Sequence, residues 1–189
     1  MNKIICIVGM PGAGKTLVSD ELKKEGFAFL RFGQITLDKV KEKGLEPNEE
    51  NEKKIREELR KEIGMGAFAI LNISKIDELL KESNVVVDGL YSWTEYKILK
   101  EEYRESVYVV AVYAPPKLRY DRLEGRVVKN DKEMRFRAYT KEDAKARDYA
   151  EIENIEKGGP ISMADFTIVN TGTRAEAEKE IKKILQQIL

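Results

Sequence analysis

Gly9-Met10-Pro11-Gly12-Ala13-Gly14-Lys15-Thr16 follows the apolar run Ile4-Ile5-Cys6-Ile7-Val8 and precedes Leu17-Val18-Ser19-Asp20-Glu21-Leu22. The apolar run reads as a buried strand and the segment after the loop as a helix. That context turns the pattern G-x-x-x-x-G-K-[ST] into a phosphate-binding loop. Its glycines let the backbone aim N–H groups inward at a polyphosphate, and the helix N-terminus adds positive potential. Lys15 then reaches the β- and γ-phosphates, and the Thr16 hydroxyl is the expected Mg²⁺ ligand. A glycine-rich turn that binds nothing is the alternative, and the flanking strand and helix argue against it.

Beyond the loop, short apolar runs alternate with stretches of helical period, the signature of a parallel sheet with helices on both faces. Strands are predicted at Ile4–Val8, Phe27–Leu30, Val85–Val87, Val107–Tyr113 and Phe166–Val169. Several are apolar throughout, as strands covered on both faces must be. Helices are predicted near 15–25, 34–43, 92–103, 117–126 and 174–188. A helical stretch near 34–82 separates the second and third strands, with one charged helix through Met65 and a less polar one over Ala67–Glu82. After Pro115-Pro116 the rhythm breaks into a polar, basic segment near 127–140, followed by a charged helix over Lys141–Glu156. That segment reads as a flap inserted in one domain spanning residues 1–189.

Composition narrows the function classes. Thirty-four basic and thirty-four acidic residues cancel, so no global field favours nucleic acid or a membrane surface. No apolar run approaches the length of a membrane span, and the N-terminus does not read as a signal peptide. The lone Cys6 implies no disulfide, and a cytoplasmic location is the expectation. With no histidine and one cysteine, imidazole chemistry and a zinc-bound lid are excluded. Charged residues form 36% of the chain, a bias that suits thermophile ion-pair networks or ordinary solvated helix faces.

Phosphoryl transfer asks for a second carboxylate and for cations around the transferring group. Asp88, closing Val85-Val86-Val87, is the carboxylate candidate for Mg²⁺; a strand-end acid can also simply cap the next helix. Gly89 suits a backbone that passes close to a ligand. Arg122 and Arg126 share a helix face and lead into the flap, where planar guanidinium groups grip phosphate oxygens in pairs. A salt-bridged surface helix is the alternative there. Arg147 closes back from the far side of the flap, and Arg135 and Arg137 lie within it.

The acceptor side is less defined. Arg31 follows the second strand and so lies at the carboxyl edge of the sheet, where such folds bind ligands. Asp38, one turn beyond Gln34, is a candidate base or a surface acid. Tyr91 and Trp93 are candidates to stack on a base, or core packing.

Together these segments resemble the P-loop kinases of the nucleoside-monophosphate-kinase type over nearly the whole chain. Val87-Asp88-Gly89 resembles their strand-plus-DG element, and Asp121-Arg122-Leu123-Glu124-Gly125-Arg126 the segment that opens the adenylate kinase lid. Lys141–Arg147 resembles the helix that closes that lid. Ala164-Asp165-Phe166-Thr167-Ile168-Val169-Asn170-Thr171-Gly172-Thr173 instead looks like the ending of dephospho-CoA kinases. The combination is most similar to the archaeal family described as adenylate-kinase-related or dephospho-CoA-kinase-like. The resemblance implies a three-layer fold with five parallel strands in the order 2-3-1-4-5. It implies ATP and Mg²⁺ as cofactors, Arg122 and Arg126 on ATP phosphates, and Asn170 and Gly172 beside adenine. It also implies a small phosphate acceptor, and the expected assembly is a monomer or homodimer.

Two departures stand out. Monophosphate kinases follow DG with an aromatic residue, Pro and an acceptor-gripping Arg, whereas this chain has Leu90-Tyr91-Ser92. Dephospho-CoA kinases place an acid after the second strand, whereas this chain has Arg31-Phe32-Gly33. The leading expectation is phosphotransfer from ATP to a nucleotide-like or other small acceptor. The alternative is a nucleotide-dependent switch or regulatory ATPase. A guanine-specific version fails, because Ser74-Lys75-Ile76-Asp77 precedes Asp88 and no D-x-x-G follows it.

Overall fold

The computed structural model describes residues 2–126 and 139–189. Five parallel strands, β1 (Ile4–Val8), β2 (Ala28–Arg31), β3 (Val85–Asp88), β4 (Val107–Tyr113) and β5 (Phe166–Val169), pair in the order β2-β3-β1-β4-β5. The helices are α1 (Lys15–Lys24), α2 (Gln34–Glu42), α3 (Glu49–Ile63), α4 (Ala67–Leu80) and α5 (Trp93–Tyr103). They continue with α6 (Pro116–Glu124), α7 (Lys141–Ile155), α8 (Gly158–Ser162) and α9 (Arg174–Ile188). The order, the three layers and the parallel pairing match the expectation.

The alternation of strand side chains builds two cores. Ile4, Cys6 and Val8 of β1, with Val85 and Val87 of β3, face Phe32, Ile55, Phe68, Ile76 and Leu99. Ile5 and Ile7, with Val86 and Val110, face Val18 and Leu22 of α1 and Ile181, Ile184 and Ile188 of α9. Each such aliphatic side chain contributes about 1.5–3 kcal/mol on burial. Cys6 is fully buried, and burial pushes its thiol up to about 12, so it packs as an unreactive apolar group.

Helix ends follow side-chain chemistry. Asn48, Ser92, Thr140 and Thr173 cap α3, α5, α7 and α9, each accepting from the backbone N–H three residues on. Ser92 and Glu95 complete a capping box, and Ser92 Oγ also donates to the Met65 carbonyl at 2.8 Å. This bond ties the α3–α4 junction to the start of α5. Sequence reading passed over α8, since Gly158-Gly159-Pro160 reads as a turn. The short helix forms because Gly159 packs flat against Trp93, where a Cβ would stand 2.9 Å from the indole ring. The fold thereby brings the ends of β1, β2 and β3 under α3, α7 and α8, at the carboxyl edge of the sheet.

Candidate functional site

The loop between β1 and α1 is shaped by three glycines with positive φ: Gly9 at 148°, Gly12 at 77° and Gly14 at 106°. Each is also crowded. A Cβ would stand 2.4 Å from the Val112 carbonyl oxygen at Gly9, 2.7 Å from that of Arg119 at Gly12, and 2.1 Å from Asn170 Nδ2 at Gly14. The glycines are therefore required by close neighbours as well as by torsion. Gly14 caps α1 without a side-chain acceptor, so the first amides of the helix are left for a ligand. Met10, Pro11, Ala13 and Thr16 complete the turn. The Lys15 ammonium lies across it, donating to the carbonyls of Gly9 at 2.9 Å and Met10 at 3.2 Å.

Two clamps hold the loop from behind. Arg119 is buried and donates to the Pro11 carbonyl at 3.1 Å while gripping Asp148 of α7 at 2.9 and 2.6 Å. Asn170, at the end of β5, donates to the Ala13 carbonyl at 2.7 Å, and its own carbonyl accepts from Arg122 Nη2 at 3.0 Å. Arg122 and Asn170 thus meet beside the phosphate loop. Gly172 is exposed in the turn that caps α9, against the Glu176 carboxylate. Arg126 is half-buried, and desolvation lowers its pKa, with the Tyr139 hydroxyl acting in the other direction. The residues 127–138, which include Arg135, Arg137 and most of the expected flap, lie outside the described residues.

Across the loop lies the second half of the cleft. Asp88 and Arg31 are register partners at the ends of β3 and β2. Gly89 follows with φ 104°, and the Tyr91 ring closes over it, so that a Cβ there would stand 2.9 Å from the ring. Desolvation raises the Tyr91 phenol, aided by the Asp88 charge and opposed by Arg31. Trp93 stacks on Tyr96 at 4.9 Å between ring centres and is covered by Gly159, away from this cleft. Asp38 is exposed on α2 and accepts from Gln34 Nε2 at 2.9 Å.

The structure adds residues that the sequence reading left on a solvated helix. Arg56 and Arg60, one turn apart on α3, flank its buried stripe of Glu52, Ile55 and Leu59. Arg56 is desolvated, which lowers its pKa, and the nearby charge of Arg147 acts in the same direction. Arg60 lies over the Phe68 ring at 5.2 Å and feels the charge of Glu95. From the other side α7 supplies Arg147, which donates to Glu151 Oε1 at 2.9 Å and to the Tyr139 hydroxyl. Lys157, just beyond α7, is buried against Glu151. The signal for Arg56 and Arg60 was available: two arginines four apart on one face, the same pattern that singled out Arg122 and Arg126.

Burial and neighbouring charges shift several titratable groups here. Burial pulls the Lys15 ammonium down to about 7, with the positive charges of Lys157 and Arg147 adding to the effect and Asp88 and Glu151 opposing it. Burial alone would raise the Glu151 carboxyl, but the Lys157 and Arg147 charges hold it at about 2. Glu95 is fully buried and pushed up to about 7 by burial, although the amides of Tyr91 and Ser92 donate to it. Among the described residues, four buried side-chain atoms lack a partner: Thr36 Oγ1, Arg60 Nε, Glu95 Oε1 and Arg122 Nη1. Such orphaned groups mark places where a ligand or water completes the network.

Comparisons with known proteins agree with this architecture. The AAA domain family profile matches residues 5–155. UPF0200 protein TK1334 of Thermococcus kodakarensis is 38% identical over 98% of this chain and 98% of its own length. A UPF0200 protein of Sulfurisphaera tokodaii is 34% identical over 99% and 98%. Among solved structures, TT1252 from Thermus thermophilus superposes with a TM-score of 0.68 at 17% identity, over 100% of this chain and 98% of that one. Shikimate kinase from Bacteroides thetaiotaomicron gives a TM-score of 0.59 at 15% identity, covering 98% of each chain. At such identities the likeness is one of fold, that of the P-loop kinases. The chain belongs to the AAA domain family and, within it, to the archaeal UPF0200 proteins.

Proposed function

We propose that the protein is an ATP- and Mg²⁺-dependent phosphotransferase acting on a nucleotide-like or other small acceptor. The observation that carries this reading is the two-sided cleft. The crowded phosphate loop, with its uncapped helix, has Lys157, Arg147 and Asp88 acting on its lysine, and the buried Tyr91 lies among Asp88, Arg31 and Arg147. A switch needs the loop, whereas a second group of charges beside it is what an acceptor needs.

In this reading the free N–H groups of the loop, Pro11 having none and that of Ala13 bonding the Met10 carbonyl, hold the β- and γ-phosphates together with the Lys15 ammonium. Arg122, Arg126 and Arg147 close on the phosphates, with Arg122 also near the base, and Asn170 and Gly172 serve the base end of the nucleotide. Arg31, Asp38 and Tyr91 belong to the acceptor side. No cluster of three or more acidic or cysteine side chains among the described residues holds a metal alone. Mg²⁺ would therefore be shared between Thr16, Asp88 and nucleotide oxygens, the usual arrangement for this hard, reluctantly dehydrated ion. Bound with ATP, it supplies charge neutralisation at the transferring group. The protein's own contribution is to fix the phosphates in line, exclude water under α3 and α7, and surround the developing charge with cations. The chain then acts as one kinase domain spanning residues 1–189, in the cytoplasm, as a monomer or homodimer. Its donor-side motifs support the adenylate-kinase-related or dephospho-CoA-kinase-like type, while its acceptor side follows neither pattern.

The test is a panel of nucleoside monophosphates, dephospho-CoA, shikimate and gluconate offered with labelled ATP and Mg²⁺. Transfer of label to one member is the expected result. Hydrolysis without transfer to any member would favour the regulatory ATPase instead.

A further inference from the structure

Lys157 is 1% exposed, one of the largest fully buried side chains in the protein. Lysines are almost never buried so completely unless paired. Its partner is Glu151, yet Glu151 already accepts from Arg147 at 2.9 Å. One carboxylate therefore serves two cations. The backbone is bent to bring Lys157 to it. Glu156 adopts φ 55° and ψ 38°, a left-handed conformation that costs a non-glycine residue energy, and the Lys157 amide then bonds back to the Glu151 carbonyl at 3.1 Å.

The place matters as much as the charge. The Lys157 ammonium lies over the Tyr91 ring at 4.9 Å from its centre, and that ring covers Gly89, the residue after Asp88. Tyr91 thus links Lys157 to the segment that follows the strand-end carboxylate. Of all the charges around Lys15, that of Lys157 bears on it most. A purely structural ion pair between α7 and α8 would be better served by one cation, placed away from the loop lysine it repels.

Resting on the phosphotransfer reading, we propose that Lys157 is a second phosphate-binding cation, whose ammonium contacts the terminal phosphoryl group of the nucleotide opposite Lys15. It gives up no proton in doing so; it exchanges part of its contact with Glu151 for a phosphate oxygen. Glu151 keeps Arg147 and holds the ammonium in reserve while the cleft is empty.

The experiment compares the binding of AMP-PNP and ADP, each with Mg²⁺, by calorimetry on the whole chain and its variants. The wild-type chain is expected to prefer AMP-PNP. Lys157→Met should weaken AMP-PNP by about tenfold or more, the size of a lost charge-assisted hydrogen bond, with ADP unchanged. Lys157→Arg should restore part of the preference. If Lys157→Met lowers the melting temperature sharply, the double variant Lys157→Met/Glu151→Gln removes the stranded carboxylate, and the same comparison decides. A preference that survives in these variants, or an equal weakening of both nucleotides, overturns the assignment while leaving phosphotransfer standing. A wild-type chain that binds neither nucleotide overturns both.

Discussion

Arg119 grips Asp148 with two guanidinium nitrogens, and one of the two also donates to the Pro11 carbonyl of the phosphate loop. The fork thus couples α6, α7 and the loop at a point where all three are dry. Both side chains are buried, at 5% and 6% exposure, so neither charge has water to fall back on.

Arg119→Lys should therefore behave as a severe change. A point-like ammonium cannot bridge both carboxylate oxygens and a carbonyl at once. The expected loss is on the order of 2–4 kcal/mol by urea denaturation, with a parallel fall in nucleotide affinity as Pro11 loosens. Wild-type stability in this variant would show the fork to be incidental.

Gly14→Ala should weaken nucleotide binding and cost about 1–3 kcal/mol, because the new methyl meets Asn170 Nδ2 at 2.1 Å and the backbone is left-handed there. Adding Asn170→Ala relieves the collision and leaves the torsional part. The double variant is thus expected to be more stable than the sum of the two single changes, which a mutant cycle measures directly. Strict additivity would contradict the contact.

Lys15→Ala should remove most turnover without unfolding the chain. The ammonium bonds only to loop carbonyls and is already desolvated at a cost, so its removal leaves no cavity in either core. Thermal melting is expected to move little, and turnover with any accepted substrate to fall by two orders of magnitude or more, on the order of other preorganised electrostatic groups. Turnover near wild type would contradict the mechanism.

Glu95 sets a pH dependence whose sign is fixed by burial. In the folded chain its carboxyl keeps a proton up to about 7, whereas the ordinary value is 4.5. Between those values the native state binds more protons than the unfolded chain, so stability falls as pH rises through the window. Glu95→Gln retains an acceptor for the Tyr91 and Ser92 amides and removes the buried charge. Melting followed from pH 5 to 8 should show a slope in the wild type that flattens in the variant, a difference on the order of 1–3 kcal/mol. Parallel slopes would count against it.

The sheet was legible because its evidence is local. Val85-Val86-Val87 and Val107–Tyr113 are apolar on both faces, and each can be read without knowing its neighbours. The phosphate loop was legible for the same reason, since its pattern lies in eight consecutive residues. The cluster of charges around Tyr91 was not, because it is assembled from distant pieces. Arg56 and Arg60 sit on a helix whose charge reads as solvation until Glu52, Ile55 and Leu59 are seen to turn inward. Lys157 was hidden differently: a lysine before Gly158-Gly159 reads as a loop residue, and only the turn at Glu156 buries it. Of the two readings open for Trp93, base stacking and core packing, its contacts with Gly159 and Tyr96 are those of packing.

Ala13 and Asn170 are bonded across 157 positions of sequence. During synthesis the loop leaves the ribosome well before Asn170, the residue that clamps it, is made. A nascent chain that has formed β1 and α1 holds the motif with the Ala13 carbonyl still unclamped. Docking of the fifth strand is therefore the step that finishes the cradle, and a fragment ending before residue 170 carries every letter of the motif without its final geometry.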